Sequence, residues 1–261
     1  MDQVFFPLFN LKVNINPISF SLFGREIRWY GIILSIAFLV GIYVCIYLTK
    51  YSEIDKDDIY DIVIFIIPSA IVGARIYYVL FKIKYYANNP NEIFKIWHGG
   101  LAIYGGIIMS IIVGILYSKY KKINFFKIAD NIIPGLIIGQ AIGRWGNFFN
   151  VEAYGYQTRM PWRMEIKDYV TGKVIGVHPT FLYESILTTI LFLVIFNYFK
   201  HKKFDGEILS IYMIFYGIIR FFVEAFRSDS LYFLNMKISQ IISVVFIVLG
   251  IYTHKILKKA A

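Results

Sequence analysis

The chain has 261 residues, of which 58% are apolar and 19% aromatic, with a formal net charge of +10 and a mean hydropathy of +0.60. With apolar runs recurring along its whole length, that balance excludes an ordinary soluble domain and points to an integral membrane protein. The positive charge does not indicate nucleic acid, because the lysines cluster in short loops beside apolar spans, where they face anionic lipid headgroups.

In chain order, residues 1–28 lack the basic leader, short apolar block and small-residue cleavage site of a signal peptide. They are expected to form an extracytoplasmic N-terminal segment ahead of a first span that stays in the mature protein. Runs of about 20 apolar residues suffice to cross the hydrocarbon core as helix. Seven are predicted: Trp29–Thr49, Ile59–Leu80, Leu101–Ser118, Ile132–Phe149, Phe181–Phe199, Ile208–Phe226 and Ile238–Ile256. With the N-terminus outside, twelve Lys and Arg fall in the inner segments, and the outer twelve are spread over nearly three times the length. That density favours N-out, C-in.

The long connection from Asn150 to Thr180 contains RMEIKDYVTGKVIGV, whose alternation around Thr171 and Gly172 predicts a hairpin outside the membrane. The fold class is thus all-α integral membrane: a seven-transmembrane-helix bundle with a small extracytoplasmic insert at 150–180. No repeat or linker divides it, so 29–261 reads as one membrane domain.

Polar groups inside the spans carry the functional signal. Arg75, Arg144 and Arg220 lie within apolar segments, where an arginine costs about 2.5–3.5 kcal/mol on insertion scales and requires partners or a wet cavity. In the fourth span Gln140, Arg144 and Asn147 are four and three residues apart, on one helical face, and Glu152 follows where the span ends. Gly135, Gly139 and Gly143 recur every fourth residue beside them, a strip suited to close helix packing. In the sixth span Tyr216, Arg220, Glu224 and Arg227 also share one side. Two planar arginine forks converging near one membrane surface suit a phosphate better than a carboxylate already supplied by the protein. Arg220 and Glu224 neutralising each other is the plainer reading.

Paired glycines occur at 99 and 100 and at 105 and 106, allowing close approach of a ligand or a helix. HPTFLYE (178–184) places Pro179 at a helix start and carries Tyr183 and Glu184 into the fifth span. His98 and His178 are candidate general bases, although a histidine at a membrane surface is commonly just polar. Cys45, the sole cysteine, excludes an intramolecular disulfide framework and reads as a small buried apolar side chain. No His/Asp/Glu set has metal-ligand spacing and no P-loop or GxSxG motif appears, so neither metal nor cofactor is expected.

Taken together, these motifs resemble the prolipoprotein diacylglyceryl transferases, bacterial enzymes that lipidate lipoprotein precursors. The pattern G-R-x-G-N-F-x-N-x-E-x-x-G is matched by Gly143, Arg144, Gly146, Asn147, Phe148, Asn150, Glu152 and Gly155. WYG at 29–31, GGLA at 99–102, HP at 178–179 with LYE at 182–184, and YG-x-x-RF-x-x-E-x-FR from 216 to 227 extend the likeness over nearly the whole chain.

The resemblance implies transfer of the diacylglyceryl group of phosphatidylglycerol to the lipobox cysteine thiol at the signal peptide of a prolipoprotein, releasing glycerol phosphate. It also implies a bacterial plasma-membrane location among membrane lipid, with the active site toward the outer face. Headgroup binding carries over to Arg144 and Arg220, with Asn147 positioning and Glu152 and Glu224 orienting the arginines. Tyr30, Tyr216 and Gly155 stand at matching positions. Many members have histidine before the second glycine pair, a candidate thiol activator, where this chain has Tyr104. Either Tyr104 donates a hydrogen bond and another group takes the proton, or the thiol ionises without a dedicated base. The alternative function is an anion transporter or channel lined by the intramembrane arginines.

Overall fold

The computed structural model describes residues 2–167 and 172–261, and its secondary structure is mostly helical. The elements in chain order are β1 (Asp2–Phe6), β2 (Leu11–Ile15), β3 (Ile18–Leu22), β4 (Arg25–Arg28), α1 (Trp29–Leu48), α2 (Lys56–Phe81), α3 (Ile83–Asn88), α4 (Ile103–Lys121) and α5 (Phe125–Phe149). Then come β5 (Met164–Lys167), β6 (Val174–Val177), α6 (Thr180–Tyr198), α7 (Glu207–Phe226), β7 (Tyr232–Phe233), β8 (Met236–Lys237) and α8 (Ile238–Ala260).

Among the described residues, seven helices are long and apolar enough to cross a membrane, one for each predicted span. In a bilayer every backbone polar group must bond within its own segment, so apolar length translates directly into helix. α2 and α5 begin well before their apolar runs. α2 takes in Asp57 and Asp58, whose charges complement the positive end of a helix, and α5 takes in Lys127, Asp130 and Asn131. The anchors at the start of α5 include a Lys127–Glu53 ion pair and an Asn131–Ser52 hydrogen bond.

The chain divides into two compact units: residues up to Cys45 together with Ile132–Ala261, and Ile46–Asn131. In the first, α1 and α5 pack along the glycine strip. A Cβ on Gly135 would collide with Gly41 O and Cys45 Sγ, whereas one on Gly139 would lie 3.6 Å from Ala37 O and one on Gly143 3.6 Å from Leu34 Cδ2. Cys45 is buried there, its thiol 3.6 Å from Ile132 O, a packing role as expected.

The N-terminal segment, for which the sequence suggested no regular structure, forms strands. β1 pairs antiparallel with β2 and with β5, and β5 with β6, giving the order β2-β1-β5-β6. The predicted hairpin is therefore present, although Thr171 at its turn lies outside the described residues. The inner face of this sheet (Val4, Ile15, Met164, Ile166, Val177) packs on Phe148 of α5 and Phe181 of α6, which fixes the ends of those two helices together.

In the second unit α2 and α4 cross at Gly73 and Gly105, so the second glycine pair admits a helix. Arg75, buried in α2, donates to the carbonyls of Ile93 (2.9 Å), Gly99 (2.7 Å), Gly100 (3.0 Å) and Glu92 (2.5 Å), with Tyr86 beneath its guanidinium. These carbonyls satisfy the intramembrane charge. Arg75 thus folds the 90–100 segment, with Gly99 and Gly100 at positive φ supplying two of the acceptors.

Candidate active site

Three helices of the first unit bring a polar cluster into the apolar bundle, with Glu184 at its centre, 1% exposed. Arg144 of α5 donates from NH2 to Glu184 Oε1 at 2.6 Å, and Arg220 of α7 donates from NH1 to Glu184 Oε2 at 2.9 Å. Tyr216 OH donates to Oε1 at 3.2 Å. A second buried carboxylate, Glu224, lies one turn beyond Arg220 and pairs with its NH2 at 2.6 Å. Next comes Arg227, whose Nε and NH2 grip Asp229 at 2.9 and 2.7 Å. The i, i+4 spacing on α7 therefore does what helical geometry dictates, stacking Tyr216, Arg220 and Glu224 toward α6.

Arg144 continues through Asn147. Its NH1 lies 3.4 Å from Asn147 Oδ1, and Asn147 Nδ2 donates to Glu152 Oε1 at 2.9 Å, an oxygen that also takes Asn150 Nδ2 at 3.3 Å. Glu152 thus reaches Arg144 by way of Asn147. It is held in a tight turn whose neighbours Val151 and Ala153 have φ of 49° and 56°. Positive φ is a strained setting for a β-branched residue. Packing of Val151 into the sheet's core and a 2.6 Å bond from Thr180 Oγ1 to Ala153 O hold the turn.

Tyr30 lies flat on Gly146, where a Cβ would stand 2.7 Å from its ring, and Tyr216 stacks on Tyr212, whose hydroxyl bonds Gln140. Gln140 is therefore glue between α5 and α7. Gly155 is pinched between Phe226 O and His178: its N–H donates to His178 O at 2.9 Å. His178 caps this end of the cluster, with its ring against Phe226 and Nδ1 3.1 Å from Tyr183 OH, which accepts from Trp162 Nε1 at 2.8 Å. Burial holds its imidazole below the ordinary histidine range, in the neutral form. Asp229 is held below the usual carboxylate range by the Arg227 fork. Lys237, also buried, closes α7 by donating to Glu224 O and Arg227 O at 2.7 and 2.8 Å.

The structure therefore brings together Arg144, Asn147, Glu152, Tyr216, Arg220 and Glu224, with Tyr30 and Gly155 packed on the same helices. Tyr104 belongs to the second unit, in the first turn of α4, 36% exposed. Between the two forks stands a further carboxylate, Glu184, which the sequence reading carried into the fifth span without assigning it a role. Its signal in the sequence was an acidic residue four positions into an apolar span with no cation one turn away on its own helix.

Chemically, a guanidinium offers five N–H donors, and Glu184 occupies one on each arginine. The carboxylate fixes both forks in orientation and leaves further donors on each for a second oxyanion. That suits an anionic phosphate group held in a low-dielectric setting.

Comparison with known proteins gives a consistent result. The family model for prolipoprotein diacylglyceryl transferase matches residues 17–255. A phosphatidylglycerol--prolipoprotein diacylglyceryl transferase of Finegoldia magna is 46% identical over 238 residues, covering 91% of this chain and 94% of the relative. The protein of the same name from Clostridioides difficile is 43% identical over 245 residues, covering 94% and 96%. That from Clostridium novyi is 41% identical over 243 residues, covering 91% and 94%.

Proposed function

The chain belongs to the prolipoprotein diacylglyceryl transferase family, and we propose that its Arg144–Glu184–Arg220 cluster holds the phosphate of the lipid donor during transfer. The enzyme is a multi-pass membrane transferase that moves the diacylglyceryl group of phosphatidylglycerol onto prolipoproteins, a step of lipoprotein maturation. The transporter alternative is thereby set aside.

The acceptor in this reading is the thiol of the lipobox cysteine. Its thiolate attacks the glyceryl carbon bonded to phosphate: a C–S bond forms, the C–O bond breaks with its electron pair going to oxygen, and glycerol phosphate departs. The phosphodiester's single negative charge becomes a monoester's two, and the thiol's proton is balanced by that extra charge. Donors aimed at the departing oxygens lower the barrier by meeting charge where it develops.

Arg144 and Arg220 are the donors in this reading, with Glu184 and Glu224 fixing their forks and Asn147 and Glu152 steadying Arg144. Tyr30, Tyr216 and Gly155 shape the surrounding wall. The cluster faces the outer side of the plasma membrane, consistent with the lower Lys and Arg density of the segments adjoining it.

The observation that carries this reading is one buried carboxylate shared by arginines from two different helices. Purified protein in phosphatidylglycerol micelles is expected to move a labelled diacylglyceryl group onto a lipobox peptide. Absence of transfer, or equal transfer onto a Cys-to-Ser peptide, would count against it.

A further inference from the structure

The ion pairs of α7 do not end at Arg220. Charges of alternating sign follow one another toward the end of the helix: Glu184 holds Arg220 at 2.9 Å, and Arg220 holds Glu224 Oε2 at 2.6 Å. Arg227 Nε lies 4.0 Å from that same oxygen, and Arg227 in turn grips Asp229. Exposure rises sharply only at the last member, the Arg227 side chain being 14% exposed and that of Asp229 49%.

Arg227 stands seven residues beyond Arg220, roughly 10 Å along the helix at 1.5 Å per residue. Its main chain is fixed. The N–H donates to Glu224 O at 3.1 Å, the carbonyl accepts from Lys237 Nζ at 2.8 Å, and a bridge joins it to Gly155. Its hold on Asp229 is bidentate, with Nε and NH2 meeting separate carboxylate oxygens at 2.9 and 2.7 Å. A guanidinium presents the same edge to two oxygens of a phosphate.

Transfer as read above turns a monoanionic phosphodiester into a dianionic monoester. The donors that stabilise this charge in a low-dielectric site also retain the product there. Departure in a single step would break every contact with Arg144 and Arg220 before water replaces them. A further cation on the same helix lets those contacts be exchanged in turn.

We propose that Arg227 is a second phosphate site, through which glycerol phosphate leaves, and that Asp229 occupies it at rest as an internal stand-in for the product. The dianion arriving from Arg220 displaces the carboxylate, and Asp229 closes on Arg227 again as the product passes to water. The assignment rests on the transferase reading above and adds to it the route of the leaving group.

Two observations make Asp229 the partner that moves. It lies between α7 and β7, outside both elements, and an ion pair half open to water contributes little, so its carboxylate swings away at small cost. Arg227 is largely enclosed, and a guanidinium there needs an anion beside it throughout. Glu224 cannot supply one, because it is buried and committed to Arg220.

The test measures glycerol phosphate in two ways: as an inhibitor of the transfer assay, and by equilibrium dialysis of the radiolabelled compound against purified protein in an uncharged detergent. Asp229→Asn frees the Arg227 fork and is expected to lower the inhibition and dissociation constants about tenfold, the worth of a charge-assisted hydrogen bond. A merely structural loss would weaken binding instead. Arg227→Gln is expected to raise both constants by a similar factor, and Asp229→Glu, which keeps the carboxylate, to stay within about twofold of the wild type. Glu26→Gln removes the same charge from an exposed position on β4 and should change neither constant.

Unchanged constants in Asp229→Asn or in Arg227→Gln would overturn the site. So would an equal tightening in Glu26→Gln, which would reduce the effect to net charge. Dialysis needs no turnover, so it separates this proposal from the reading beneath it. Tighter binding by Asp229→Asn of a protein that transfers nothing would keep the phosphate site and sink the transferase reading, and normal transfer with unaltered binding would do the reverse.

Discussion

Arg144 and Glu184 join α5 to α6 through a 2.6 Å ion pair in which the carboxylate is almost wholly buried. The other oxygen of Glu184 holds Arg220, so this one side chain sets the distance between the two guanidinium forks. Removing it strands two cations. Glu184→Ala is expected to destabilise the protein by about 3–5 kcal/mol and to abolish transfer. Glu184→Gln keeps one acceptor oxygen and should lose less stability. Thermal unfolding in detergent alongside the peptide assay measures both, and a fully stable, active Glu184→Ala would show that the bridge is dispensable.

The forks themselves are tested by Arg144→Lys and Arg220→Lys. Lysine keeps the charge but presents a compact ammonium, so it cannot hold Glu184 and a phosphate oxygen in one plane. Each change is expected to lower kcat by roughly 10²-fold, the usual effect of losing one aligned donor to a developing anion. If both lysine variants kept wild-type rates, the phosphate-clamp reading would fail.

How much of this was legible in the sequence depends on where each residue's partners lie. The seven spans could be read because lipid forces backbone bonding inward, and the faces of α5 and α7 because their polar residues repeat at helical spacing on one segment. Glu184 is different: a lone acid in an apolar span signals that a partner is needed, but its partners stand on α5 and α7, 40 and 36 residues away, so no local pattern says which they are. Arg75 looked like part of the same functional signal, but its partners are main-chain carbonyls, which composition cannot reveal. The strands at 2–28 escaped notice for a related reason. β1 is completed by β5, far along the chain, and only that pairing gives its apolar face something to cover.

The glycine strip of α5 yields a graded expectation. Gly135→Ala drives a methyl into Gly41 O and Cys45 Sγ, and backbone cannot move aside, so overpacking should cost about 1–3 kcal/mol. Gly139→Ala and Gly143→Ala place theirs 3.6 Å from their neighbours, an ordinary contact, and should be neutral or gain up to about 1 kcal/mol from helix propensity. Melting temperatures of the three variants decide it. Equal stability at 135 and 143 would contradict the close α1–α5 approach.

Tyr104 stands in the first turn of α4, and the pH dependence of two variants addresses its part in proton transfer. Tyr104→Phe removes the hydroxyl and should slow transfer about tenfold, the worth of one hydrogen bond. Tyr104→His supplies a base and should raise the rate above pH ~6.5, where an ordinary imidazole is neutral. Indifference to both changes across pH 5–9 would remove this position from the chemistry.

His178 provides a pH signature for the fold around the site. Its imidazole is half-buried, packed against Phe226 and, with Tyr183 accepting from Trp162, can take the Tyr183 hydroxyl proton on Nδ1 while neutral. Because its folded-state pKa lies below the ordinary 6.5, an unfolded chain binds the proton first as the medium acidifies. Stability should therefore be level above pH ~6.5 and fall as pH drops below it. Asp229, depressed below 3.8 by Arg227, loses its contribution only in a more acidic range, so the two windows separate. His178→Gln should flatten the melting-temperature profile between pH 7 and 5 while leaving the acid limb near pH 3–4 in place. A wild-type profile already flat between pH 7 and 5 would mean that His178 accepts a proton without loss of packing.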